Sequence, residues 1–342
     1  MAETEPMKTR KKVLIMGAGG FVGGFLAAEG VRLGYEVWCG LRATTSRRYL
    51  EDLDVKFVEF DFEKPEKMDD VLRKAMPEGT WDYIIYNLGA TKVKTYRDFS
   101  RINHDYLRNF TEALRRTDMY PERFLYMSSL SAMGVGDEKG YTPFTEEMIP
   151  VPNTRYGASK LKAETWLQTT SLNYIIFRPT GIYGPHERDY YLMFKSIAQG
   201  FDFSVGFRKQ MLTFIYVEDL VRAVYMALEN APTGQVYNIS EPRAYSQKEF
   251  RRLAMREMGK KFVLPMRMPL WAVKAVSVVA EKIGVMRNKP STLNSDKFRI
   301  MKQRNWNVDT SKAERDFGFR AETSLAEGIH KSIEWYRKAK WL

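Results

Sequence analysis

Residues 13–24, VLIMGAGGFVGG, run from four apolar residues through a glycine-rich turn into a helical period. A short apolar run without polar alternation suits a strand buried on both faces. The glycines at 17, 20 and 23 then permit a tight turn, a close backbone approach and a helix packed hard against the strand. The theme repeats. Apolar runs at 36–41, 55–60, 83–86, 123–127 and 174–177 alternate with helical periods at 21–33, 65–76, 98–117 and 154–170. Short apolar strands joined by crossover helices predict an α/β fold, a doubly wound (Rossmann) parallel sheet covered on both faces.

The regularity loosens beyond residue 180. The expected organisation is a sheet domain over 10–180, to which segments of 213–240 return. A smaller, mainly C-terminal substrate-binding region takes 181–212 and 241–320, and a C-terminal helix takes 321–342. Within that region Leu270, Val273, Val276, Val279 and Ile283 share a face of an apolar helical segment over 269–284. Such a stripe reads as core, as lining for a greasy substrate, or as a contact with a membrane surface aided by the basic end WYRKAKWL.

The net charge of +12 asks for an anionic partner, but the basic clusters are short and dispersed over the 342 residues. No long basic tract interleaved with aromatics is present, so a small-molecule partner is expected and nucleic acid is not. A single cysteine, Cys39, excludes an internal disulfide, and with three histidines no metal centre is expected. No uncharged apolar run of about 18 residues occurs. The charged N-terminal residues lead straight into the first strand without the apolar stretch of a leader, and a cytoplasmic setting is expected.

Strand, glycine turn and helix in that order form the context a dinucleotide-binding fingerprint requires. Gly17, Gly20, Phe21, Val22 and Gly23 are therefore assigned to the pyrophosphate, at the positive end of the helix. An acid at the end of the second strand would hold the ribose hydroxyls of NAD, but EVWCGLRATTS carries Arg42 there. A guanidinium suits a 2′-phosphate, with Arg47 or Arg48 as helpers, so NADP(H) is expected over NAD(H). Asp61 and Phe62, past the third strand, are placed beside the adenine, although Asp61 reads equally as a cap on the next turn.

Further along stand NLGA (87–90), RINHDYLRNF, YMSSLSAMG, YGASK, FRPTGIYGP and FIYVEDLVRAV. In this order the motifs resemble those of the extended short-chain dehydrogenase/reductase family, the NAD-dependent epimerase/dehydratase group, over nearly the whole chain. The resemblance implies that Tyr156 exchanges a proton with a substrate oxygen while hydride moves to or from a nicotinamide. Lys160, one helical turn on, and the positive nicotinamide would favour the phenolate, whose ordinary pKa is about 10. Ser129 would orient the substrate oxygen, with Ser131 beside it in the pocket, and Ser128 would point into the sheet. Asn103 would support a water relay to Lys160 or serve as a buried structural amide. Leu88, Gly89, Ala90 and Pro179 would line the cofactor. Relatives often pair through two helices, here 98–117 and 154–170, so a homodimer is expected.

Two departures bear on substrate. Nucleotide-sugar members usually carry asparagine where this chain has Gly181, and arginine near Thr213. Arg178, Arg188, Arg208 and Lys209 remain as alternative cationic contacts. The expected activity is NADP(H)-dependent interconversion of a ketone and a secondary alcohol on a bulky, apolar, non-nucleotide substrate, with Gly181 in the substrate site. The alternatives are a nucleotide-sugar epimerase or dehydratase holding NAD(P) tightly, and a non-catalytic nucleotide sensor.

Overall fold

The computed structural model describes residues 10–287, 291 and 293–342, so residues 1–9, on which the leader reading partly rests, lie outside the described residues. Six strands follow one another through the first half: β1 (Lys12–Met16), β2 (Glu36–Leu41), β3 (Val55–Glu59), β4 (Tyr83–Tyr86), β5 (Arg123–Met127) and β6 (Tyr174–Pro179). Three short ladders stand apart from them. β7 (Gly181–Tyr183) pairs with β10 (Phe214–Tyr216), β8 (Phe201–Val205) with β13 (Leu264–Met268), and β9 (Met211–Leu212) with β12 (Tyr245–Ser246). β11 (Gln235–Ile239) closes the main sheet, whose order is β3-β2-β1-β4-β5-β6-β11 with every pairing parallel. Of the two late segments expected to return to the sheet, β11 does so, whereas β10 pairs only with β7.

The central strands are buried on both sides, which is why they read as unbroken apolar runs. On one face, α1 (Phe21–Arg32) packs with α7 (Val217–Asn230) and α11 (Ser311–Phe317) over Val13, Ile15 and Val37. On the other, α2 (Met68–Ala75), α4 (Tyr106–Thr117) and α5 (Arg155–Leu167) cover Leu14, Ile84 and Phe124. The helix expected over 98–117 is not uniform. A short α3 (Tyr96–Ser100) passes through a π turn (Arg101–Asp105) into α4, and the widened turn carries Asn103 into the interior.

A third cluster unites α6 (Asp189–Ala198), α8 (Gln247–Glu257) and α12 (Leu325–Lys338) through Phe194, Phe250, Ile329 and Tyr336. α9 (Leu270–Met286) and α10 (Ser295–Lys302) complete the described helices. The stripe foreseen on α9 is not core: Val273 is buried, but Leu270, Val276, Val279 and Ile283 are exposed.

Candidate active site

The strand order reverses between β1 and β4, and the crevice beyond their carboxyl ends is where a doubly wound sheet binds ligands. Gly17 sits there at φ +81°, a region that favours glycine, and its N–H donates to the Gly40 carbonyl at 2.9 Å. A Cβ on Gly23 would lie 2.3 Å from the Gly17 carbonyl oxygen, so α1 can start this close to β1 only with glycine there. Gly20 occupies the cap position of α1 without a side-chain hydrogen bond. The first-turn N–H groups of Phe21, Val22 and Gly23 therefore have no intrahelical or capping partner. Free donors, the positive end of a helix and an absence of side-chain bulk fit a pyrophosphate. Gly19 escaped the sequence reading. The loop after β2 presses on it, and a Cβ there would meet the Thr45 methyl at 2.4 Å and the Ser46 carbonyl at 2.8 Å.

At the adenosine end, Arg42 is exposed just beyond β2, in a turn closed by the Thr45 N–H donating to its carbonyl at 2.9 Å. Among the described residues its guanidinium has no ion pair or hydrogen bond. The two expected helpers are engaged elsewhere. Arg47 pairs with Glu59 at 2.6 Å over the Phe57 ring, and Arg48 bonds the Tyr49 hydroxyl. Asp61 accepts the Glu63 N–H at 3.2 Å and pairs with Lys64 at 3.2 Å. The Phe62 ring is core, stacked between Phe60 and Tyr106, which leaves only its backbone for a nucleotide.

Ser129 follows β5, while Tyr156 and Lys160 lie one turn apart on α5. The tertiary fold brings the Ser129 hydroxyl close to the Tyr156 phenol. Burial pushes the Tyr156 phenol above its ordinary range, and the Ser129 hydroxyl pulls the other way. The expected pull of Lys160 on the phenol is not among the causes. Its ammonium donates to the Met127 carbonyl at 2.8 Å, and burial brings Lys160 itself down to about 8, against an opposing pull from Glu164.

Asn103 is buried and joins two segments of the site. Its Oδ1 accepts the Ala90 N–H at 2.7 Å, and its Nδ2 donates to the Ala90 carbonyl at 3.1 Å and the Ser159 hydroxyl at 2.9 Å. One side chain thus ties the Leu88–Gly89–Ala90 loop to the helix of Tyr156. A Cβ on Gly89 would come within 3.1 Å of Lys160 Nζ, so this loop lies directly over the lysine.

Sequence reasoning missed Asp296, whose carboxylate accepts the N–H groups of Arg155 at 3.1 Å and Tyr156 at 2.9 Å. Together with Thr154, which accepts the Gly157 N–H at 2.9 Å, it caps α5 at the turn that carries the phenol. No local signal points to it, because the cap arrives from 140 residues away.

On the substrate side, Ser131 donates its N–H to the Ser129 hydroxyl at 3.2 Å, and Pro179 is buried at the end of β6. Ser128 is buried and bonds Glu164, which also holds Arg178 at 2.6 Å. Arg178 is thereby removed from the cations open to a substrate. Thr213 is buried and donates to the Trp306 carbonyl at 2.6 Å. A Cβ on Gly181 would lie 2.1 Å from the Tyr190 hydroxyl, which fills the place a longer side chain would need. Asp189, held by Lys92 at 2.6 Å and Lys297 at 3.1 Å, clasps the loop after β4 to α6 and α10. On the outer face of α5 a separate groove of about 480 Å³ is lined by Ala158, Leu161, Trp166 and His104.

The family model of the NAD dependent epimerase/dehydratase family matches residues 13–240. A ceramide reductase of Caulobacter vibrioides is 27% identical over 335 residues, covering 97% of this chain and 96% of that protein. A dTDP-glucose 4,6-dehydratase of Neisseria meningitidis is 22% identical, covering 95% and 93%. Among solved structures, UDP-glucose 4-epimerase of Thermotoga maritima with UDP-glucose superposes with a TM-score of 0.75 at 20% identity, covering 96% of this chain and 99% of that one. The dTDP-glucose 4,6-dehydratase of Bacillus anthracis in complex with NAD gives 0.76 at 17% identity, covering 97% and 98%. With the glycine cradle and the Ser129, Tyr156 and Lys160 set on one crevice, the chain belongs to the NAD-dependent epimerase/dehydratase family, enzymes of the extended short-chain dehydrogenase/reductase type.

Proposed function

We propose that this enzyme interconverts a ketone and a secondary alcohol on a bulky, apolar, non-nucleotide substrate, with NADP(H) preferred over NAD(H). The observation that carries the reading is the approach of the Ser129 hydroxyl to the Tyr156 phenol, which it draws toward the ionised form, with Lys160 one turn along the same helix. A nucleotide held at the Gly17–Gly23 turn would supply or accept the hydride at the substrate carbon. Tyr156 gives its phenolic proton to the carbonyl oxygen in reduction and takes it back in oxidation. Ser129 holds that oxygen in line with the phenol, where a fixed donor stabilises developing negative charge. Lys160, buried beneath Gly89 and donating to the Met127 carbonyl, would supply positive charge one helical turn from the phenolate that reduction leaves. Asn103 acts through others, by holding Ala90 and Ser159.

The apolar substrate is supported by two observations. Gly181 carries no amide for a sugar-nucleotide diphosphate, Tyr190 fills the space where a longer side chain would lie, and Arg178 is locked by Glu164. The ceramide reductase is matched over nearly its whole length, which favours a long-chain lipid ketone. The preference for NADP(H) rests on Arg42. Pairing of two copies through α4 and α5 would cover the groove around Leu161 and Trp166.

The test is to follow NADPH oxidation by the purified full chain with a long-chain ketone. One NADPH is consumed per ketone reduced, and Tyr156→Phe lowers the rate by about 10²–10⁴-fold while nucleotide binding persists. Turnover of a nucleotide-sugar without net NADPH consumption, and none of the ketone, would assign the epimerase or dehydratase reading instead.

A further inference from the structure

α9 turns its apolar side outward. At 100° per residue, Trp271, Ala275, Val278, Val279, Lys282 and Met286 fall on one side of the helix, and all are exposed. Val273 and Ser277, on the opposite side, are the buried ones. Trp271 is 75% exposed and Met286 85%, the reverse of an ordinary surface helix, which buries its apolar stripe. β13 runs into α9 through Pro269 and pairs with β8, and this ladder adds exposed Phe201, Phe203, Leu264 and Met266. An apolar surface of this extent marks an interaction site.

The charge around it is mainly positive, since Asp202 of β8 is paired with Arg251 at 3.0 Å. Lys260, Lys261, Arg267, Lys274, Lys282 and Arg287 are all exposed, and none forms an ion pair with a described residue. Glu281 is the only acid between Lys260 and Arg287, and it is bonded by the Ser295 hydroxyl at 2.6 Å. Apolar side chains interspersed with unpaired cations complement a lipid surface bearing negative headgroups. They do not complement a second copy of the same face, where cation would meet cation. No described helix is long and apolar enough to cross a membrane, so the fitting geometry is a helix lying in the interface.

We propose that α9 and the β8–β13 ladder form a docking surface for an anionic lipid bilayer. The surface is coupled to the catalytic helix. Glu281 of α9 accepts from Ser295 at the start of α10, and Asp296 beside it caps the turn carrying Tyr156. Docking is thereby linked to the turn carrying the phenol, whatever the substrate there.

The experiment is co-sedimentation of the full chain with vesicles of phosphatidylcholine alone and of phosphatidylcholine mixed with phosphatidylglycerol, without nucleotide or substrate. Binding is expected to the mixed vesicles and to weaken with salt. It should fall about tenfold or more in Lys274→Glu/Lys282→Glu and in Trp271→Glu/Val279→Glu, whose side chains lie outside the core. Unchanged NADPH affinity checks that these variants are folded. Tyr156→Phe should bind vesicles like the parent, so a failed ketone assay leaves this result standing. Equal sedimentation with both vesicle types, no binding to either, undiminished binding of both double variants, or a dimer in solution that Trp271→Glu dissolves would each overturn the proposal.

Discussion

The Asp296 carboxylate accepts the backbone N–H of Tyr156 at 2.9 Å, so a residue on α10 sets the turn from which the Tyr156 phenol projects. The same carboxylate takes the Arg155 N–H, and the helix N-terminus favours its negative charge. Asp296→Ala is expected to cost about 1–2 kcal/mol of stability, measured by urea unfolding. It should also lower kcat by about tenfold with little change in KM, because a displaced phenol weakens the transition state and not substrate binding. Asp296→Asn, which keeps an accepting oxygen, should restore most of both. Equal loss in both variants would remove the positioning role.

Lys160 is expected to set the alkaline limb of the pH profile. Burial brings it down to about 8 from 10.5, so its ammonium is present below that pH and lost above it, while burial raises Tyr156 and keeps the phenol protonated at neutrality. Ketone reduction should therefore be flat near pH 7 and decline above about 8. In Lys160→Met the rate should be about 10²-fold lower or less, with no limb at that position. The stability sign is opposite. Between about 8 and 10.5 the folded chain holds fewer protons at this site than the unfolded one, so its contribution rises with pH across that window.

Gly181 and Tyr190 exclude one another's side chains. Gly181→Ala would bring a Cβ to 2.1 Å from the Tyr190 hydroxyl, which sits in a packed aromatic cluster with Tyr183 and Phe214. The variant should lose about 1–3 kcal/mol in urea unfolding. Tyr190→Phe removes the obstructing atom, so the double variant should recover much of the loss, a coupling a double-mutant cycle reads directly. Additive effects would show that the clash relaxes elsewhere.

Arg42 stands without an ion pair among the described residues, while Arg47 is held by Glu59 and Arg48 by Tyr49. A titration of the two nucleotides should favour NADPH. Arg42→Ala should weaken NADPH by about tenfold or more, the scale of a charge-assisted hydrogen bond, and leave NADH unchanged. Arg47→Ala and Arg48→Ala should each have a smaller effect. Equal affinity of the parent for both nucleotides would overturn the preference.

The sheet strands were legible because burial on both faces of a parallel sheet demands unbroken apolar runs, and the six runs read from the sequence became β1 to β6. The glycine turn was equally legible, since Gly17 adopts a positive φ and Gly23 has no room for a Cβ. The family's spacing marked Ser129, Tyr156 and Lys160 as a group, but their contact arises from folding, because β5 and α5 are separated in sequence by a long loop. Which way Lys160 points, that Asn103 has both donors engaged, and that Arg178 is locked by Glu164 depend on neighbours that no local window contains.

α9 marks the boundary most clearly. Helical periodicity identified an apolar segment, yet its side chains divide between two sides of the helix, and packing buries Val273 while Val279 meets water. The chain by itself determined its strands, its nucleotide turn and the kinds of groups available for proton transfer, because these follow from local backbone sterics and from burial patterns carried within short segments. Tertiary structure alone decided which charges are paired, which caps come from afar and which apolar surface stays exposed, because those are energies between residues that only the closed fold brings within reach.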